Sequence, residues 1–81
     1  MWQVYILKCA DGTFYTGITT NVNRLFKEHN SSVLGAKYTR GRRPVKLVYS
    51  RKLKNKTAAA KEECRIKRMT KQEKRKLIRA K

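Results

Sequence analysis

The chain has 81 residues, enough for one domain with a modest core, and its 22 Lys and Arg against 5 Asp and Glu give a net charge of +17. A field of that sign draws polyanions, but charge alone does not separate DNA, RNA and an anionic membrane surface. Two cysteines, Cys9 and Cys64, with the single His29 far from both, exclude the local four-ligand pairs of a structural zinc site. No apolar run approaches the roughly 20 residues needed to span a bilayer, and no signal-peptide pattern opens the chain. The thiols read as reduced and partly buried, in a cytoplasmic protein.

The charge is unevenly spread. Residues 1–50 hold 8 basic and 2 acidic side chains, and residues 51–81 hold 14 and 3, so the second part carries +11 of the +17.

Residues 2–9 and 13–18 are rich in β-branched and aromatic types and predict two strands. Ala10-Asp11-Gly12 between them signals a turn with two possible registers. A two-residue Asp-Gly turn pairs Lys8 with Tyr15 and sends Tyr5 and Tyr15 to opposite faces. A three-residue loop with Gly12 left-handed in a G1 bulge pairs Cys9 with Thr13, so Tyr5 opposes Gly17 and both phenols share a face. A slip of one residue therefore decides whether the phenols can form a site.

Residues 21–30 read as a helix capped by Asn21, with Val22, Leu25, Phe26 and His29 on one face. Residues 31–44 form a long loop, and 45–51 a third strand. A second helix is expected over 57–68 with Thr57 as its cap. Thr70-Lys71-Gln72-Glu73 is a capping box that starts a third helix, running to about residue 79. The order β-β-α-β-α-α makes an α+β domain with a small antiparallel sheet, spanning 1–81 without an internal repeat.

In the second helix Ala59, Glu63 and Ile66 share a stripe, so Glu63 meets the sheet while Glu62 falls beside it, toward water. An inward carboxylate needs a cation, either a salt-bridge partner or a metal. His29, alone on an apolar face, has the same double reading. Phosphodiester hydrolysis requires an activated water, stabilised phosphoryl charge and usually a divalent cation on a carboxylate. Tyr5, Tyr15, His29 and Glu63 with a cation nearby would supply those parts. Lys37, Tyr38, Arg40, Arg42 and Arg43 interleave an aromatic with four cations, which suits backbone phosphates and a stacked base.

These segments, taken in order, resemble a GIY-YIG endonuclease domain of the small single-domain bacterial branch, over nearly the whole chain. Val4-Tyr5-Ile6 stands at the first motif and Tyr15-Thr16-Gly17 at the second. Glu28-His29-Asn30, Tyr38-Thr39-Arg40-Gly41-Arg42-Arg43-Pro44 and Glu63-Cys64-Arg65-Ile66-Lys67 follow at the family's spacing. The resemblance implies a three-stranded antiparallel sheet flanked by helices, with the site across one sheet face, and so favours the G1-bulge register. It also implies a metal-dependent nuclease acting on DNA ahead of RNA, with no membrane and no obligate protein partner. The tyrosine matching Tyr5 would be a general base or its partner, that matching Tyr15 would orient water and phosphate, and Glu63 would hold one Mg²⁺ or Mn²⁺. His29 would belong to the same site.

Two departures stand out. The family's arginine, four residues before the histidine, is here Leu25, and the nearest arginine is Arg24, rotated about 100° around the helix. The family's late asparagine has no match, since Asn55 precedes the second helix. Losing a preorganised cation from such a site costs on the order of 10²–10³ in rate. A basic module that binds DNA or RNA but cuts poorly is therefore the alternative reading, and a ribosome-associated RNA-binding protein a third.

Overall fold

The computed structural model describes residues 1–25 and 45–80. Three antiparallel strands, β1 (Trp2–Lys8), β2 (Phe14–Thr19) and β3 (Lys46–Leu53), form one sheet in the order β2-β1-β3. Helix α1 opens at residues 22–25, α2 is Lys56–Lys67, and α3 is Lys71–Ala80. The order is thus the expected β-β-α-β-α-α. Among the described residues no helix is long and apolar enough to cross a membrane.

β1 is the central strand, and its Val4, Tyr5, Ile6 and Leu7 are all buried because both sheet faces are covered. Alternation sorts them. Val4 and Ile6 pack with Tyr49 and Ile66, against Phe14, Ile18, Val48, Met69, Leu77 and Ile78. Tyr5, Leu7 and Cys9 pack with Val45 on the other face, against Tyr15, Val22, Leu25 and Leu47. One face is therefore closed by α2 and α3, the other by the start of α1.

The first hairpin takes the three-residue loop. Cys9 N–H donates to the Thr13 carbonyl at 2.8 Å, and Gly12 N–H to the Cys9 carbonyl at 2.9 Å. Gly12 sits at φ 86°, a left-handed conformation that suits glycine. The Asp11 carboxylate accepts from the Thr13 N–H at 3.1 Å and from its hydroxyl at 2.7 Å, fixing the turn. The register sets Tyr5 opposite Gly17 and Leu7 opposite Tyr15.

Pairing with β3 shows a feature absent from the sequence reading. Ile6 opposes Tyr49 while Leu7 opposes Leu47, so Val48 is an extra residue in a β-bulge. Without it Leu47 and Tyr49, two apart, would share a face. With it, Leu47 joins the tyrosine side and Tyr49 the Ile66 side. β3 also continues to Leu53, opposite Trp2, two residues beyond its expected end.

Asn21 caps α1 as expected, its Oδ1 accepting from the Arg24 N–H at 3.0 Å. The rest of the 21–30 helix and the 31–44 loop lie outside the described residues. At α2 the cap is Asn55 rather than Thr57. Its backbone is extended (φ −156°, ψ 174°), and its Oδ1 accepts from the Ala58 N–H at 2.8 Å. The capping box at α3 forms reciprocally. The Thr70 N–H donates to Glu73 Oε1 at 2.9 Å, and the Glu73 N–H to Thr70 Oγ1 at 3.2 Å. Both cysteines are free thiols, but only Cys9 is buried; Cys64 is exposed on α2, which corrects the expectation for that residue.

Candidate functional site

The hairpin register decides the site. With Leu7 rather than Lys8 opposite Tyr15, Tyr5 and Tyr15 project from one face, their ring centroids 6.4 Å apart and tilted by 40°. That separation lies within the range of favourable aromatic pairs. Tyr5 is 4 % exposed, and its ring lies over Gly17 across the strands. A Cβ at Gly17 would stand 2.7 Å from Tyr5 Cζ, so the glycine is required by close approach. Sequence reasoning gives Gly17 no part in the site, although its pairing with Tyr5 in the three-residue register is the signal that finds it.

Burial pushes the Tyr5 phenol well above its ordinary pKa, with Tyr15 and then the Glu63 charge adding to the rise. Glu63 therefore lies within electrostatic reach of Tyr5, although the two come from distant parts of the chain. At neutral pH Tyr5 is a protonated hydrogen-bond donor, not a phenolate.

The α2 stripe is as expected at Ala59 and Ile66, both fully buried. The two glutamates are not. Glu62, expected to lean toward water, has the less exposed side chain at 12 %, against 24 % for Glu63. Arg51 reaches Glu62 from β3 at 3.3 Å, and Arg65 reaches it from the next turn at 2.7 Å. Arg65 holds two of the carboxylate's bonds, so Glu62 is committed to joining α2 to β3. Glu63 pairs only with Lys67 among the described ion pairs, at 3.4 Å along the helix. Such an i,i+4 pair is weak enough to yield to a stronger cation.

The Arg65 hydrogen bond, aided by the Arg51 and Arg65 charges, holds Glu62 below the ordinary glutamate pKa against the opposing effect of burial. Its contribution to stability is therefore present above the unfolded value and is lost as pH falls through the lower folded value. Both arginines are more than half exposed, so the contribution is at most about 1 kcal/mol. Urea unfolding at about pH 6 and about pH 3 should show a smaller stability loss in Glu62→Gln than in wild type. Equal losses would detach Glu62 from acid sensitivity.

Leu25 packs against the cluster of Tyr5, Leu7, Cys9 and Val45, so the position where the resemblance calls for arginine does face the phenols. Arg24 is exposed, one residue around the helix. His29, Lys37, Tyr38, Arg40, Arg42 and Arg43 lie outside the described residues. Among the described residues no three His, Cys, Asp or Glu side chains converge as a metal cluster. A cation of the Mg²⁺ kind does not require one, because it is held by one or two carboxylates with water and substrate phosphates completing its shell. Glu63, partly open and within electrostatic reach of the Tyr5 phenol, fits that demand.

Residues 1–76 match the GIY-YIG catalytic domain family. The chain is 54 % identical over 79 residues to a UPF0213 protein of Desulfotalea psychrophila, covering 98 % of this chain and 72 % of that one. A UPF0213 protein from Natronomonas pharaonis is 49 % identical over 93 % of this chain and 87 % of its own length. The solution NMR structure of a UPF0213 protein from Bacillus halodurans is similar with a TM-score of 0.64 at 44 % identity, covering 100 % of this chain and 86 % of that one. With the paired phenols on one sheet face and the family's match running over nearly its whole length, the chain belongs to the GIY-YIG catalytic domain family.

Proposed function

We propose that this protein is a metal-dependent endonuclease that hydrolyses phosphodiester bonds in DNA, with preference for flapped or branched structure. The observation that carries the reading is the pairing of Tyr5 and Tyr15 on one sheet face, within electrostatic reach of the Glu63 charge and with a glycine cleared beneath the inner phenol. Nucleic acid as substrate is what the family implies, and the +17 charge agrees with it.

Each residue has a part that follows from its surroundings. Tyr5, held protonated, donates to a phosphoryl oxygen or to the attacking water rather than removing a proton. Tyr15, less enclosed, orients the same water and phosphate. Glu63 would hold the divalent cation, Mg²⁺ or Mn²⁺, which when bound supplies charge neutralisation at the phosphoryl oxygens. His29 belongs to the same set, and its part is read from the sequence alone. Lys37, Tyr38, Arg40, Arg42 and Arg43 are assigned to the nucleic-acid backbone on the same footing.

Leu25 favours a second reading, in which the scaffold binds nucleic acid but turns over poorly. An apolar side chain packs where a guanidinium would stabilise phosphoryl charge, and Arg24 is exposed at the next helix position. Comparing wild type with Leu25→Arg on duplex, flap and branched DNA separates the two. The hydrolase reading expects metal-dependent cutting by wild type and faster cutting by Leu25→Arg, by about tenfold or more given the worth of one preorganised cation. Cutting by Leu25→Arg alone would favour the binding module, and binding without cutting by either would remove the nuclease reading.

A further inference from the structure

β2 is an edge strand, so its consecutive residues Phe14 and Tyr15 face opposite sides of the sheet. Tyr15 belongs to the phenol face, while Phe14 is half-buried on the face covered by α3. There a cavity of about 410 Å³ is floored by Phe14, Val48 and Ile78 and edged by Lys8, Arg75 and Arg79. Its size lies within the roughly 300–1,000 Å³ of small-ligand sites. A second cavity of about 200 Å³ adjoins it beyond Phe14, lined by Thr13, Lys71 and Lys74 as well. Phe14 thus stands in the wall of both.

α3 supplies most of the charge. Lys71, Lys74, Arg75, Lys76 and Arg79 face one acid, Glu73, and Glu73 is engaged in the helix cap. Lys71, Arg75 and Arg79 recur every four residues in one row, about 6 Å apart along the axis. Like charges at that spacing destabilise an isolated helix. Among the described residues no carboxylate forms an ion pair with Lys8, Arg75 or Arg79. A row of cations stepped like successive phosphates, beside an aromatic ring on an apolar floor, is complementary to a polyanion that carries flat bases. A double helix would present phosphates but no open base to the ring, whereas a single strand presents both.

We propose that this groove binds a single strand of nucleic acid, with one base on Phe14 and the flanking phosphates on Lys8, Arg75 and Arg79. Because Phe14 and Tyr15 are neighbours on the edge strand, a strand leaving the phenol face around β2 enters the groove directly. The groove then selects substrates with an unpaired arm. Its ligand class rests on the nucleic-acid reading above; its location does not.

The test is fluorescence anisotropy of the full chain with a labelled oligothymidylate in EDTA, so that no cutting intervenes. Arg75 and Arg79 are exposed, and Arg75→Gln with Arg79→Gln should leave folding intact. That pair is expected to weaken binding by about tenfold or more and to reduce the salt slope by about 1.4, the share of two single-strand phosphate contacts. Lys52→Gln with Lys54→Gln removes equal charge outside the groove and should change affinity by less than about threefold. Wild type should prefer oligothymidylate to an abasic oligomer of equal length by about tenfold, a preference that Phe14→Leu removes while keeping apolar contact with the core. Equal losses from the two charge pairs, or no preference for the base-bearing strand, would overturn the groove. Failure here leaves metal-dependent cutting untouched, whereas failure of cutting with the groove intact rejects only the hydrolase.

Discussion

Replacing Gly17 by alanine should destabilise the protein by about 1–3 kcal/mol and lower cutting at least as far as removal of a catalytic donor does. The added Cβ would stand 2.7 Å from Tyr5 Cζ and 3.1 Å from Cε2. An exposed ring would swing aside cheaply. Tyr5 is 4 % exposed and walled in by Leu7, Cys9 and Val45, so the strain spreads into the cluster instead. Overpacking of this kind costs about 1–3 kcal/mol, and each kcal/mol lowers Tm by roughly 4–8 °C in a domain of this size. The backbone is not the reason for the glycine, since among the described glycines only Gly12 has positive φ. Tyr5→Leu combined with Gly17→Ala should therefore recover stability by making room, without recovering cutting. A Gly17→Ala protein that melts with wild type would show that the Tyr5 ring is free to move.

Glu63→Gln should separate folding from chemistry. The substitution keeps the size of the side chain and removes its charge. In the described structure that charge is balanced only by Lys67 on the same helix, a pairing worth about 0.3–0.5 kcal/mol. Stability should therefore change by less than about 1 kcal/mol. Cutting should fall by about 10²–10³ or more, the worth of a preorganised charge at a phosphoryl group. The same change at Glu62 is expected to act the other way. It disturbs the link from α2 to β3 through Arg51 and leaves the phenol face intact. A Glu62→Gln variant that loses cutting while Glu63→Gln keeps it would exchange the two assignments.

Much of this arrangement is legible in the chain itself. Asp11-Gly12 limits the hairpin to two registers, and the family motifs choose the one that joins the phenols. Thr70 with Glu73 marks the start of α3, because both halves of a capping box lie within four residues. What escapes reading depends on partners far along the chain. The bulge at Val48 exists only because β3 must present Tyr49 to Ile6 and Leu47 to Leu7, and neither demand is visible within residues 46–53. Asn55 and Thr57 are both good caps, and the extended backbone at Asn55, just past the end of β3, selects the first. Helical spacing places Glu62 beside the buried stripe, but only Arg51 on another element explains why it is the more enclosed carboxylate. The groove at α3 was hidden for the same reason: the basic C-terminal run reads as a solvated face until Phe14 and Val48 arrive from two strands.

The most direct test of the central claim is incubation of the wild-type protein with flapped and branched DNA in Mg²⁺ or Mn²⁺ and, in parallel, in EDTA, with Glu63→Gln alongside. Cutting is expected only with the metal, with a loss of about 10²–10³ or more in the variant and equal DNA binding by both proteins in EDTA. Cutting that persists in EDTA or in Glu63→Gln, or a folded wild type that binds every substrate and cuts none, would contradict that claim.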